Sequence, residues 1–107
     1  MPDTWGLPRT AEGLFAHGEI DLATAAPFEE RASEAVMEAA GSSVLIDLSG
    51  VTFMDSAGIR ALVRVLELRS GKSLIVQPSR QVFMLLQLVA LTDGVLPNVQ
   101  IRHPFPD

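Results

Sequence analysis

The sequence predicts an α/β domain, and three observations carry that prediction. Short apolar runs with strand character alternate with segments whose apolar residues recur at helical spacing. Glycine, proline or serine punctuates the joins between them. The connections suit parallel crossovers, right-handed by the usual chirality. The chain has 107 residues and no internal repeat, enough for one hydrophobic core and too short for two domains. Residues 1–107 therefore read as a single domain. Its Pro-bearing ends, Met1 to Thr10 and Pro104 to Asp107, are expected to be loose.

Leu14 to His17 reads as a first strand, and Gly18 to Leu22 as the turn that follows it. A hairpin could add an antiparallel strand near Trp5 and Leu7, although Pro8 and two glycines interrupt that stretch. Phe28, Ala32, Ala35, Val36 and Ala39 then recur at helical spacing, with Glu29, Glu30, Arg31, Glu34 and Glu38 on the other side and Gly41 as the stop. Val44 to Leu48 is a short apolar run of the buried-strand kind. Ser49 to Met54 is expected to be a loop. Asp55 and Ser56 are helix-opening residues, and Ile59, Leu62, Val63 and Leu66 supply the apolar face of the helix they open. Gly71 ends it, and Leu74 to Val76 makes a third strand. Pro78 and Ser79 precede a helix from Arg80 to about Ala90, and Val99 to Ile101 makes a short last strand.

Composition narrows the function. Eight Lys and Arg stand against thirteen Asp and Glu, a net charge of -5, which argues against direct binding of nucleic acid. No cysteine is present, so disulfides, thiolate metal sites and thiol catalysis are excluded together. Apolar residues at 48% and charged residues at 20% describe a globular chain rather than a disordered one. The first residues lack a basic segment followed by an apolar core, and no apolar run approaches the roughly 18 residues of a membrane span. A soluble, cytoplasmic protein is expected.

The chemistry-bearing stretch is Leu45 to Ile59, in which a buried strand delivers Asp55-Ser56-Ala57-Gly58 to the first turn of a helix. A helix N-terminus has unpaired N–H groups and partial positive charge, worth roughly 0.3 to 1 kcal/mol to an exposed anion. Ser56 is thus a candidate for carrying an anionic group, and the plain alternative is that Asp55 or Ser56 only caps the helix. A serine hydrolase would need a base beside Ser56, and only His17 and His103 are available. Met54 stands where a nucleophile elbow requires glycine. No His and carboxylate spacing suits a metal, and no phosphate-cradling glycine loop occurs, so neither metal nor cofactor is expected.

Gly18-Glu19-Ile20-Asp21, then Thr24-Ala25, then Val44-Leu45-Ile46-Asp47-Leu48, then Phe53-Met54-Asp55-Ser56-Ala57-Gly58-Ile59 together resemble the STAS domain of bacterial anti-sigma factor antagonists. The resemblance runs from about Leu14 to Leu96 and rests on the order and spacing of these pieces. It implies a small mixed β-sheet with about four helices packed against it. It further implies a non-enzymatic regulator of transcription that binds an anti-sigma factor with serine kinase activity. Ser56 occupies the position of the phosphoacceptor, and Asp21, Thr24, Asp55, Ser56, Ala57 and Gly58 the partner-binding surface. In such partner switching, phosphorylation releases the antagonist and a separate serine phosphatase resets it. A rival implication is a STAS module serving as subunit or scaffold in a sensory or lipid-transport assembly, with no phosphoserine switch.

Two segments depart from the family pattern: the start, where the family has a clear hairpin and this chain is interrupted by Pro8 and two glycines, and the helix from Arg80. Val82, Leu85, Leu86 and Val89 provide a buried face for the helix from Arg80, yet Phe83, Met84 and Leu88 make it apolar nearly all round. Positions like 83 and 84 are usually polar in relatives. Either the segment from Val95 to Phe105 folds over these residues, or they form a contact surface for a partner or a homodimer.

Overall fold

Along residues 13–68, 71–89 and 96–105, which the computed structural model describes, strands and helices alternate. They are β1 (Gly13–Ile20), α1 (Ala25–Glu38), β2 (Ser43–Met54), α2 (Ser56–Leu66), β3 (Ser73–Pro78), α3 (Arg80–Leu88) and β4 (Val99–Ile101). The strands form one sheet in the order β1-β2-β3-β4, and every pairing is parallel. The sheet is thus parallel rather than mixed among the described residues, and it carries three helices rather than about four. The antiparallel strand considered near Trp5 and Leu7 lies outside the described residues, as do Ala90 and Pro106-Asp107.

Alternate strand residues point into one core. Leu14, Ala16 and Ile20 of β1, Val44, Ile46, Leu48, Val51 and Met54 of β2, and Leu74 and Val76 of β3 are buried together with residues of all three helices. The intervening residues Phe15, Leu45 and Ile75 are only half-buried. This is the period-2 pattern of strands with one fully covered face.

Two expectations for the strands are corrected. β1 does not turn at Gly18, and β2 does not end at Leu48: His17 pairs with Gly50, Gly18 with Val51, Glu19 with Phe53 and Ile20 with Met54. The register slips twice, between Phe15 and His17 and between Gly18 and Glu19, and such bulges bend and twist a strand pair. Gly18 has φ of 86°, open to glycine at little cost. At Gly50 an added Cβ would lie 2.9 Å from the His17 Cβ. The glycines that read as turn formers therefore permit bulges and close approach inside a longer ribbon.

The helices are set by small residues and caps. On α2 the buried face is Gly58, Ala61, Leu62, Val65 and Leu66, while Ile59 and Val63 are half-buried at its flank. The face is rotated from the expected one: Gly58, Ala61 and Val65 join Leu62 and Leu66 inside, and Gly58 sits against the Ile20 backbone at the end of β1. On α3 only Val82 and Leu86 are buried, and Val89, expected inside, is 46% exposed. The C-terminal carbonyls of α1 are met by Lys72, whose Nζ donates to the oxygens of Val36 (2.7 Å), Met37 (3.3 Å) and Ala39 (2.7 Å). An ammonium from before β3 thus supplies the cation that the last turn of α1 lacks, favourable at the negative end of a helix dipole. The helix stops at Glu38, ahead of Gly41.

Candidate functional site

Four pieces of chain meet at the C-terminal ends of β1 and β2: the two strand ends, the loop from Asp21 to Thr24, and the first turn of α2. The carboxyl ends of parallel strands are where open α/β sheets commonly place their ligand sites.

Asp55 ties the pieces together. It is the N-cap of α2: its Oδ1 accepts from the Gly58 N–H at 3.0 Å, which satisfies one of the unpaired donors of the first turn. Its Oδ2 accepts from the Leu22 N–H at 3.1 Å, and its own N–H donates to the Ile20 oxygen at 3.3 Å. One carboxylate therefore fixes the start of α2 against the β1–α1 loop.

Gly58 sets the distance. A Cβ there would lie 2.5 Å from the Ile20 backbone oxygen and 2.7 Å from the Met54 Cγ, so only glycine lets α2 approach the end of β1 this closely. Gly58 is buried. Ala57 is half-buried.

Asp21 and Thr24 hold their own loop in shape. Asp21 Oδ1 accepts from the Ala23 N–H (3.0 Å) and the Thr24 N–H (3.3 Å). The Thr24 hydroxyl accepts from the Asp21 N–H at 2.9 Å and has the Glu19 oxygen at 3.1 Å and Asp21 Oδ1 at 3.2 Å as acceptors. Such side-chain bonds to nearby backbone stabilise a turn locally.

Ser56 differs from its neighbours. It is the first residue of α2 and is exposed, and no hydrogen bond to a described residue is seen for its hydroxyl. Each histidine has an aromatic neighbour: the His17 ring centroid lies 5.9 Å from that of Phe15, and the His103 ring centroid 5.1 Å from that of Phe83. The cap is Asp55, so the two readings of the Asp-Ser pair divide between its members: the aspartate caps and the serine is presented. Among the described residues no cluster of His, Asp or Glu could hold a metal ion, and no helix is long and apolar enough to cross a membrane.

Two residues of this surface were not singled out in the sequence. Leu22 is 82% exposed and Phe53 49% exposed, the first in the loop bound to Asp55 and the second two positions before it. An apolar residue inside a polar turn, as Leu22 is between Asp21 and Thr24, was the available signal. Phe53 was hidden by reading Ser49 to Met54 as a loop. Of the residues expected on the apolar helix, Met84 (62%) and Leu88 (80%) are exposed, whereas Phe83 is half-buried with its ring against His103.

A four-stranded parallel sheet with helices between its strands, and an exposed serine directly after the aspartate that caps one of them, define a small α/β domain. The STAS domain model matches residues 13–103, and the chain belongs to the STAS domain family. Among solved structures, the anti-sigma factor antagonist SpoIIAA in its unphosphorylated form is similar in fold, with a TM-score of 0.52 and 19% identity. That similarity covers 83% of this chain and 76% of SpoIIAA. No curated protein matches the chain.

Proposed function

We propose that this STAS protein is an anti-sigma factor antagonist: it binds an anti-sigma factor with serine kinase activity through the surface around Ser56, and phosphorylation of Ser56 releases it. The observation that carries the reading is the exposed Ser56 hydroxyl, unbonded among the described residues, at the first position of α2 beside a carboxylate already committed to the cap. The N-terminal dipole of α2 tolerates a phosphate in the free domain. In a complex, about -1.5 to -2 added charges next to Asp55 bring like-charge repulsion and a desolvation cost. Each 1.4 kcal/mol is about tenfold in affinity, so a coupling of a few kcal/mol switches the complex without unfolding either partner. Leu22 and Phe53 supply the apolar part of that interface, with Asp21 and Thr24 shaping the loop beside it.

On this reading the chain is no enzyme, acts in the cytoplasm, and depends on a separate serine phosphatase to return it to the binding state. Capture of partners on the wild-type chain, followed by ATP and peptide mapping, tests it. The expected result is a kinase-type anti-sigma factor that modifies Ser56 alone. Modification that persists in Ser56→Ala, or capture of only membrane-transport or sensory-array proteins, favours the scaffold role instead.

A further inference from the structure

We propose that Arg60 is the clamp for a phosphate on Ser56: its guanidinium, one helical turn along α2, turns back and holds the phosphate oxygens on the domain's own surface. On the reading that Ser56 is the phosphoacceptor, on which this rests, Arg60 is the residue that receives the added group. Ser56 and Arg60 are both exposed and lie four positions apart on one helix. That spacing sets them about 40° apart around the axis, with Cβ atoms about 5 to 6 Å from each other. An anion one turn N-terminal to a cation is the favourable order for such a pair. A guanidinium suits a phosphate because its fork donates two parallel N–H bonds to two oxygens.

The neighbours leave Arg60 for this part. No partner among the described residues is seen for its guanidinium. α2 itself carries no carboxylate, its charged residues being Arg60 and Arg64. Arg64 is engaged with α1, its Nη1 lying 3.2 Å from Glu29 Oε1. Asp55 does not compete for Arg60, because its Oδ1 accepts from the Gly58 N–H and its Oδ2 from the Leu22 N–H.

An acidic surround gives the pair its use. The chain carries a net charge of -5, and Glu19, Asp21 and Asp55 stand at the same strand ends as Ser56, so each disfavours the doubly charged phosphate. Arg60 opposes them. A partner that docks over Ser56 has to part the clamp as well as desolvate the charge, so the pair biases the phosphorylated domain toward release.

The test uses the full chain with phosphoserine incorporated at position 56 during synthesis. It needs no kinase, so it is decided separately from the peptide mapping that tests the partner-switching reading. Phosphorus NMR follows the second ionisation of the phosphate, which lies near pH 6 for an ordinary phosphoserine, flagged here as about 6. The expected result is a midpoint raised by about 0.3 unit or more in Arg60→Gln, mostly restored in Arg60→Lys, and unchanged in Arg64→Gln. In about 1 M salt the difference between wild type and Arg60→Gln disappears, as it does for an exposed pair. The wild-type chain alone gives a second measurement: the Arg60 Nε–H resonance shifts and exchanges more slowly once position 56 carries the phosphate. Equal midpoints in wild type and Arg60→Gln, an equal rise in Arg64→Gln or Arg60→Lys, or an Arg60 Nε–H indifferent to the phosphate would overturn the proposal.

Discussion

α2 and α3 begin alike and end differently. Each opens with a side-chain cap, Asp55 to the Gly58 N–H at 3.0 Å and Ser79 to the Val82 N–H at 3.1 Å. The Asp55 carboxylate has a second oxygen, and it spends that on the β1–α1 loop. α2 then buries five residues of its eleven, while α3 buries two of nine. The first helix is fixed so closely that its N-terminus presents one hydroxyl in one place. The second is held along a narrow line and leaves its outer side to other contacts. A helix clamped at its end positions chemistry, and a helix held along one edge displays a surface.

The sharpest way to break this contrast is at Gly58. Gly58→Ala drives a Cβ into the Ile20 oxygen and is expected to destabilise the domain by about 2 to 3 kcal/mol. For a domain of this size that lowers the melting temperature by about 10 °C or more. A drop of under about 3 °C would mean that the close approach is not a constraint.

Next come the two caps. Asp55→Ala removes the Gly58 and Leu22 acceptors together, and Ser79→Ala removes only that of Val82. The expected costs are about 1 to 2 kcal/mol for the first and about 1 kcal/mol for the second. Amide hydrogen exchange separates them: Leu22 exchanges faster in Asp55→Ala and is unaffected in Ser79→Ala. Lys72→Met, which strips the donors from the C-terminus of α1, is expected to cost about 1 kcal/mol, read as a lower urea midpoint. Smallest of all is Arg64→Ala. Its 3.2 Å pair with Glu29 joins α2 to α1, but the side chains are 58% and 32% exposed, so the change stays within about 0.5 kcal/mol.

The alternation of strands and helices was legible in the sequence because apolar spacing reports burial directly, and each of the seven described elements overlaps the segment expected for it, although β1 and β2 run past their expected ends at His17 and Leu48. What escaped it were effects of long-range geometry. Ser49-Gly50 has the composition of a turn, yet it lies within β2 because β1 continues beside it to Ile20. On α2, Ile59 and Val63 look like core, yet they are only half-buried while Gly58, Ala61 and Val65 are buried beside Leu62 and Leu66. Lys72 could not be assigned to the end of α1, since the two are more than thirty residues apart in sequence. At the candidate site, the order of Asp55, Ser56 and Gly58 was visible, whereas the division of labour between cap, presented hydroxyl and spacer needed coordinates. Leu22 and Phe53 needed them too, since exposure of an apolar residue has no signature in its own letter.

The central claim is that Ser56, and not the cap beside it, is the switch. The most direct measurement is a calorimetric titration of the anti-sigma factor captured by the wild-type chain against wild-type and Ser56→Asp protein, with circular dichroism on both. The account predicts matching spectra and an affinity lowered by about tenfold or more in Ser56→Asp, equal to at least about 1.4 kcal/mol. Equal affinities with equal spectra would contradict it.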